Sequence, residues 1–335
     1  MTRYNRQEKF KPFGQQGQVQ LQQLHVMVIG VGALGSGIAE QLTRSGVGRL
    51  TIVDKDVVSL SNLHRQSGYT EADVQAMTPK VFALQQHLSA MNHEVTIEPL
   101  NEEITARNIL GILNETQPDM ILDGLDRFET RYLVNEASRK LNIPYIYGAV
   151  VGSQVSVFPI HQDGPCLHCV MPDVPDTMES CDINGVLPPA VHMASSLVVA
   201  EVFHYLMHGD FSYRMTTMDI YRGKMKTLSI KALKEEDCKV CAQHQYDRLN
   251  HKQLEQTQLL CGGVYQYRLS PEQFSAKIHP SVTCLIENHF IKRLQYKDYE
   301  MTLYQDGRLL IYHASDQQTA HELVQRLFVQ PVHIE

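Results

Sequence analysis

From residue 24 to residue 160 short apolar runs alternate with longer amphipathic stretches, the rhythm of a parallel sheet with helices between its strands. LHVMVIG at 24–30 is a continuous apolar run ended by glycine, as expected of a strand buried on both faces. Helical spacing follows at 36–45, and GRLTIVD at 48–54 reads as the next strand. A helix is expected at 79–91, opening on Pro79, then a strand at EVTIEPL, 94–100. A further helix at 105–115 leads to DMILDGLD at 119–126, a strand whose carboxyl end carries Asp123 and Asp126. Residues 129–141 are helical in period, and 143–150 and 153–159 read as strands. The order predicts a Rossmann-like α/β fold, a mixed or parallel sheet flanked by helices.

The pattern breaks at 161–185, which is rich in Pro, Asp, Gly and Cys and reads as an irregular loop. A helix is expected at 188–208, with strands at 214–220 and 225–231. The hydrophobic pattern then fades, and 246–260 reads as a linker. Residues 261–335 show YEMTLY, a QDG turn, RLLIYH and a helix at 316–328, which predicts a small α+β appendage. The expected organisation is a main domain over 1–245, the linker 246–260 and the appendage 261–335.

Composition narrows the class. The chain has 335 residues, 30 Lys and Arg against 37 Asp and Glu, and no block of like charge. Neither a basic nucleic-acid footprint nor a polybasic membrane patch stands out. The start, MTRYNRQEKF, is polar and lacks the pattern of a secretory signal, and no run has the 18 apolar residues of a membrane span. The expected location is the cytoplasm.

Two features carry chemistry. Gly30, Gly32 and Gly35 form GxGxxG between a strand and a helix, where glycines permit a tight turn and a close approach of backbone to phosphate. Asp54 ends the next strand, where an acid grips a ribose hydroxyl. That much fits an NAD(P)-dependent oxidoreductase. The segment after it fits a triphosphate better. Asn62, Arg65 and Gln66 offer a charged fork and neutral donors, Lys80 adds a point charge, and Asp123 and Asp126 suit a hard cation such as Mg²⁺. Ordinary ion pairs among Asp126, Arg131 and Arg65 are the plainer alternative. The second feature is a pair of CxxC motifs, Cys166/Cys169 and Cys238/Cys241, which together supply four thiolates for a structural zinc ion. Cys181 stands apart in a polar loop just before a helix, a place that permits a reactive thiol or a merely tolerated one.

Together these residues resemble the ThiF/MoeB/HesA family, bacterial relatives of the ubiquitin-activating enzymes. RYNRQ at 3–7, GVGALG at 30–35, DKDVVSLSNLHRQ at 54–66, Lys80, DGLDRFETR at 123–131, CLHC, GVLPP at 185–189 and CKVC carry the resemblance in one order. The overall layout most resembles the thiazole-biosynthesis adenylyltransferases. The resemblance implies an enzyme that uses ATP and Mg²⁺ to adenylate the C-terminal Gly-Gly carboxylate of a small β-grasp sulfur carrier, ThiS-like in thiamin synthesis or MoaD-like in molybdopterin synthesis. It implies that Asp54 holds the ribose, that Asn62, Arg65, Gln66 and Lys80 contact phosphates, and that Asp126 positions Mg²⁺. It further implies a homodimer in which Arg6 reaches the phosphates of the partner subunit, and a separate protein as sulfur donor. Cys181 matches the position where some members carry a cysteine that links covalently to the carrier. A noncatalytic docking module is the third reading, and the intact polar residues speak against it.

Overall fold

The computed structural model describes residues 3–172, 185–251, 256–260, 263–275 and 278–328; Cys181 lies outside them. The chain divides into two compact units, 1–252 and 253–335.

The first unit opens on two helices that the polar N-terminus did not announce, α1 (Asn5–Glu8) and α2 (Gly14–Gln23). They lead into β1 (His25–Ile29), α3 (Ala33–Ser45) and β2 (Arg49–Val53). A 3-10 turn at Leu60–Asn62 and the short α4 (Glu71–Gln75) precede α5 (Lys80–Met91) and β3 (Thr96–Leu100). Then come α6 (Ile109–Thr116), β4 (Met120–Asp123), α7 (Phe128–Leu141), β5 (Tyr145–Val151) and β6 (Gln154–Ile160). The irregular stretch holds one turn of helix, α8 (Leu167–Val170), and after it run α9 (Pro188–His208), β7 (Arg214–Asp219) and β8 (Lys224–Ser229).

The strands form one sheet in the order β3-β2-β1-β4-β5-β6-β7-β8. The pairs from β3 to β5 are parallel and those from β5 to β8 antiparallel, so the sheet is mixed, as the sequence suggested. From β1 the chain goes one way to β2 and later returns on the other side as β4. That switch point opens a crevice at the carboxyl ends of β1 and β4. All of β1 and β4 is buried, which explains their unbroken apolar runs. Of the described helices one, α9, is long and apolar enough to cross a membrane by length and composition. Here Ala190, Val191, Ala194, Val198, Val199 and Val202 pack it into the core beneath the sheet.

A short helix, α10 (Asp247–Asn250), ends the first unit's described part. The second unit carries β9 (Thr257–Leu260), β10 (Val264–Arg268), α11 (Pro271–Ser275), β11 (Thr283–Glu287), β12 (Ile291–Tyr296), β13 (Tyr299–Tyr304), β14 (Arg308–Ile311) and α12 (Gln317–Leu327). Its antiparallel sheet runs β11-β12-β13-β14-β10-β9. Tyr267, Leu294, Met301, Leu309 and Ile311 form a core with Ala320, Leu323, Val324 and Leu327 of α12. Both α10 and β9 fall in the stretch expected to be a linker.

Candidate functional site

The turn from β1 to α3 is built by glycines for steric reasons. Gly30 has φ +83°, and a Cβ there would stand 2.6 Å from the Gly124 carbonyl oxygen at the end of β4. A Cβ on Gly35 would stand 1.9 Å from the Gly30 carbonyl oxygen, so α3 packs against the turn only because this position is glycine. Around Gly32 there is open space, with only the Gln66 carboxamide nearby, at 3.8 Å from the place of a Cβ. The open position is the one a phosphate would approach, and α3 points its N-terminus there.

Asp54 fixes this turn from β2. One carboxylate oxygen accepts from the Val31 N–H at 2.8 Å and the other from the Asp56 N–H at 2.9 Å. Each oxygen keeps a further lone pair for a ligand. Burial pushes the Asp54 acid up from its ordinary range, and the Lys80 cation pulls against that. Lys80 itself is buried at the start of α5. Burial disfavours its charge, but Asp54 and Asp56 outweigh burial and hold the ammonium firmly protonated, with Nζ 3.2 Å from Asp56. Lys80 thus presents a permanent positive charge beside the glycine turn.

Of the polar run after β2, Gln66 reaches the glycine turn. Asn62 accepts from the Ser59 hydroxyl at 2.8 Å, and the half-buried Arg65 donates to the Ser61 carbonyl at 2.8 Å. Gln66 is buried, and its carboxamide oxygen has no hydrogen-bond partner among the described residues. A buried amide without a full set of partners, facing an open glycine, suits a polar ligand. Asp126 is exposed in the loop after β4, and its charge acts on both Lys80 and Arg131.

One sequence expectation turns out otherwise, and two further residues are not found at this turn among the described residues. Asp123 does not stand open for a cation. It is fully buried, accepts from Arg131 Nε at 3.0 Å, from the Tyr145 hydroxyl at 2.7 Å and from the Leu125 N–H at 2.8 Å. The ion pair Arg131 makes is therefore an internal one with Asp123, not a surface pair with Asp126. Arg6 is exposed on α1 at the far end of α3 from the glycine turn: Gln7 donates to the Ser45 carbonyl at 3.1 Å, and Tyr4 lies against Gly46. Cys181 is outside the described residues. Two supports were not visible in the pattern at all. The buried Tyr69 hydroxyl donates to the Val31 carbonyl at 2.7 Å, and the Ser67 N–H donates to the Ser36 hydroxyl at 3.1 Å.

The four cysteines do converge. Cys166, Cys169, Cys238 and Cys241 are all buried, with their sulfurs within 4.8 Å of one another. Adjacent sulfurs stand at 3.8, 3.7 and 3.5 Å. A tetrahedron of Zn–S bonds of about 2.3 Å requires S···S of about 3.8 Å, so the set fits zinc. Four thiols leave no open position, which makes the site structural. Cys166 stands just before α8, whose Leu167 N–H is held by Asn135 of α7 at 2.9 Å. On the other side Glu136 of α7 accepts from the Leu249 N–H at 3.0 Å and the Arg248 N–H at 3.3 Å, fixing α10.

Comparison with known proteins gives one consistent picture. The ThiF family model matches residues 4–240. The chain is 33% identical over 322 residues to the sulfur carrier protein ThiS adenylyltransferase of Bacillus subtilis, covering 94% of this chain and 95% of that one. It is 34% identical to a sulfur carrier protein adenylyltransferase of Thermus thermophilus, covering 78% of this chain and 97% of that one. The adenylyltransferase and sulfurtransferase MOCS3 of Culex quinquefasciatus is 32% identical over 72% of this chain, which spans 55% of that protein. Among solved structures, E. coli MccB with ATP superimposes with a TM-score of 0.60 at 20% identity over 72% of this chain and 74% of that one. That likeness shows the fold.

Proposed function

The chain belongs to the ThiF family, and from that membership we propose that it adenylates the C-terminal carboxylate of a small sulfur-carrier protein with ATP. The carrier is a β-grasp protein ending in Gly-Gly, and the ThiS-like carrier of thiamin synthesis is the first choice. The observation that supports this most is the continuous wall from Gly30 to Lys80. An open glycine turn, a helix N-terminus, a buried permanent cation and an under-bonded amide all face one crevice.

In this reading the triphosphate lies over Gly32 at the N-terminus of α3. Asp54 uses its spare lone pairs on the ribose. Asn62, Arg65, Gln66 and Lys80 hold the phosphates, with Arg65 turning from the Ser61 carbonyl. Mg²⁺, held by Asp126, would neutralise part of the phosphate charge. The carrier carboxylate attacks the α-phosphorus, the bond to the β-phosphate oxygen breaks, and pyrophosphate leaves with the electron pair. A carboxylate is already an anion, so no general base is needed. The work left to the protein is positioning and countercharge. Adenylation as written needs no thiol and gives Cys181 no part, and the sulfur comes from a separate protein. Arg6 serves the partner subunit of a homodimer, since its own glycine turn lies a whole α3 away, about 20 Å for a helix of this length.

A MoaD-like carrier is the second reading, favoured by the MOCS3 match. ATP–pyrophosphate exchange measured side by side with purified ThiS-like and MoaD-like carriers distinguishes the two. Exchange should depend on the carrier, and Arg65→Ala or Asp126→Ala should lower it by roughly 10²-fold or more with zinc content unchanged. No exchange with any Gly-Gly carrier would sink the reading, and full rates in both variants would sink the site.

A further inference from the structure

Resting on the adenylation reading for the identity of the ligand, we propose that Tyr69 is a positioning residue of the nucleotide site: its hydroxyl holds the Val31 carbonyl so that the Gly32 N–H is aimed at a phosphate oxygen. Tyr69 does not touch the nucleotide. It acts through the peptide that joins Val31 to Gly32.

Val31 is held on both sides. Its N–H donates to Asp54 at 2.8 Å, and its carbonyl accepts from the Tyr69 hydroxyl at 2.7 Å. The first bond orients the peptide before Val31 and the second the peptide after it. The peptide bonds of the described residues are trans. In a planar trans peptide the C=O and N–H point in opposite directions. With the Val31 carbonyl turned to Tyr69, the Gly32 N–H therefore points away from it. The first bond within α3 runs from the Ser36 N–H to the Gly32 carbonyl, at 3.0 Å. The N–H groups ahead of Ser36, that of Gly32 among them, thus have no partner inside the helix and stay available to an anion. Gly32 is also the open position of the turn, with only the Gln66 carboxamide near the place of a Cβ.

Tyr69 is itself anchored from both directions along the chain. Two residues before it, the Ser67 N–H donates to the Ser36 hydroxyl of α3 at 3.1 Å. Gly68 lies against Leu84 and His87 of α5. One residue after it, Thr70 caps α4, its N–H and hydroxyl donating to Asp73 at 2.8 and 2.7 Å. The segment that follows Arg65 and Gln66 is thus tied to α3, α4 and α5, and Tyr69 reaches from it to the turn. The Tyr69 ring belongs to the apolar core. For that packing a phenylalanine would serve, so the hydroxyl is the part that needs a reason. Burial, with the carboxylates of Asp54, Asp73 and Asp56, pushes its pKa well up, so the phenol remains a donor.

Tyr69→Phe removes one oxygen and keeps the ring. Calorimetric titration of the full chain with inorganic triphosphate, ATP and adenosine separates positioning from packing. The variant should bind triphosphate and ATP roughly 3- to 10-fold more weakly, the usual worth of one hydrogen bond, and adenosine as the wild type does. The KM for ATP in carrier-dependent exchange should rise by the same factor with kcat nearly kept, because a donor to bound phosphate acts alike before and during the attack. Thr70→Ala is the control. It loosens the cap of α4 without touching Val31, and should lower the melting temperature while leaving triphosphate affinity in place. Triphosphate bound by Tyr69→Phe as tightly as by the wild type, or weakened no more than in Thr70→Ala, overturns the proposal. An equal loss of triphosphate and adenosine, the result of a merely structural role, overturns it too, as does a wild type that binds neither ATP nor triphosphate. If triphosphate binding weakens as expected but no Gly-Gly carrier supports exchange in the wild type, the adenylation reading falls and the role of Tyr69 stands.

Discussion

Arg131 shows how a buried pair can shape a site it never touches. Its guanidinium donates to Asp123 at 3.0 Å and to the carbonyls of Leu125 and Gly148 at 2.6 and 2.9 Å, and it lies over Tyr147 at 5.0 Å. These bonds hold the loop that carries Gly124, against which Gly30 turns, and Asp126. Arg131→Met would leave Asp123 buried with neutral donors only, the Tyr145 hydroxyl and the Leu125 N–H among them. Breaking a buried pair on one side costs about 3–5 kcal/mol. Burial already pushes Asp123 up from the ordinary carboxylate range, with Arg131 and Tyr145 opposing it. Without the arginine the folded state would bind a proton at Asp123 at a pH where the unfolded chain does not. The variant therefore gains stability as pH falls toward the carboxylate range, and its deficit against wild type narrows. Urea unfolding of both proteins at pH 7.5 and 5 measures the gap; a gap that stays constant or widens would contradict this account. The sequence did not show the lock. A strand-end aspartate looks the same whether it awaits a cation or faces an arginine eight residues on, and only the fold that brings Arg131 and Tyr145 together decides. Gly30, Gly35, Asp54 and Lys80 were legible because their signals are local, set by a tight turn and by the ends of neighbouring elements.

At the scale of elements, the cysteine cluster holds together pieces with little apolar surface of their own. One pair caps and enters α8 and the other sits in the turn at 238–241, so a zinc ion held there would join segments separated by 72 positions. The spacing of the two pairs announced this, since four thiols in two CxxC units have few other uses. Not announced were the single turn of α8 and the docking of α10 on α7 through Glu136, which depend on a carboxylate meeting backbone N–H groups 112 and 113 positions away. The protein as purified should hold one zinc per chain by elemental analysis. Structural zinc contributes of order 10 kcal/mol in small domains, and a few degrees of Tm correspond to each kcal/mol at this size, so Cys241→Ser should lose the metal and lower Tm by more than about 10 °C. Limited proteolysis should then cut first within 231–251, ahead of the sheet. An unchanged Tm in the metal-free variant would mean that the cysteines are packing groups rather than a clamp.

For the whole molecule, the second unit was the least legible part. YEMTLY, RLLIYH and the last helix were visible, as β13, β14 and α12, because their inward positions are apolar and regular. The strands β9, β10, β11 and β12 were not. All five residues of β11 are exposed, and β12 mixes Lys292 and Arg293 with its apolar positions, so neither shows clean alternation. The hydrogen bonds of a sheet order such strands where side-chain pattern alone would not. The two units have separate cores, and the glycine turn, Lys80, Asp126 and all four cysteines belong to the first. The Thermus thermophilus adenylyltransferase is matched over 97% of its length by 78% of this chain. A chain ending at residue 251 should therefore keep its zinc, its ATP binding and carrier-dependent exchange within a few-fold of the full chain. Calorimetry should show the transition of the first unit largely unmoved, since its buried residues lose none of their partners within that unit. If the truncated chain keeps zinc and ATP binding but loses exchange with the carrier alone, the second unit takes part in carrier capture. If it loses zinc as well, the two units are one folding body and the division at 252 is only geometric.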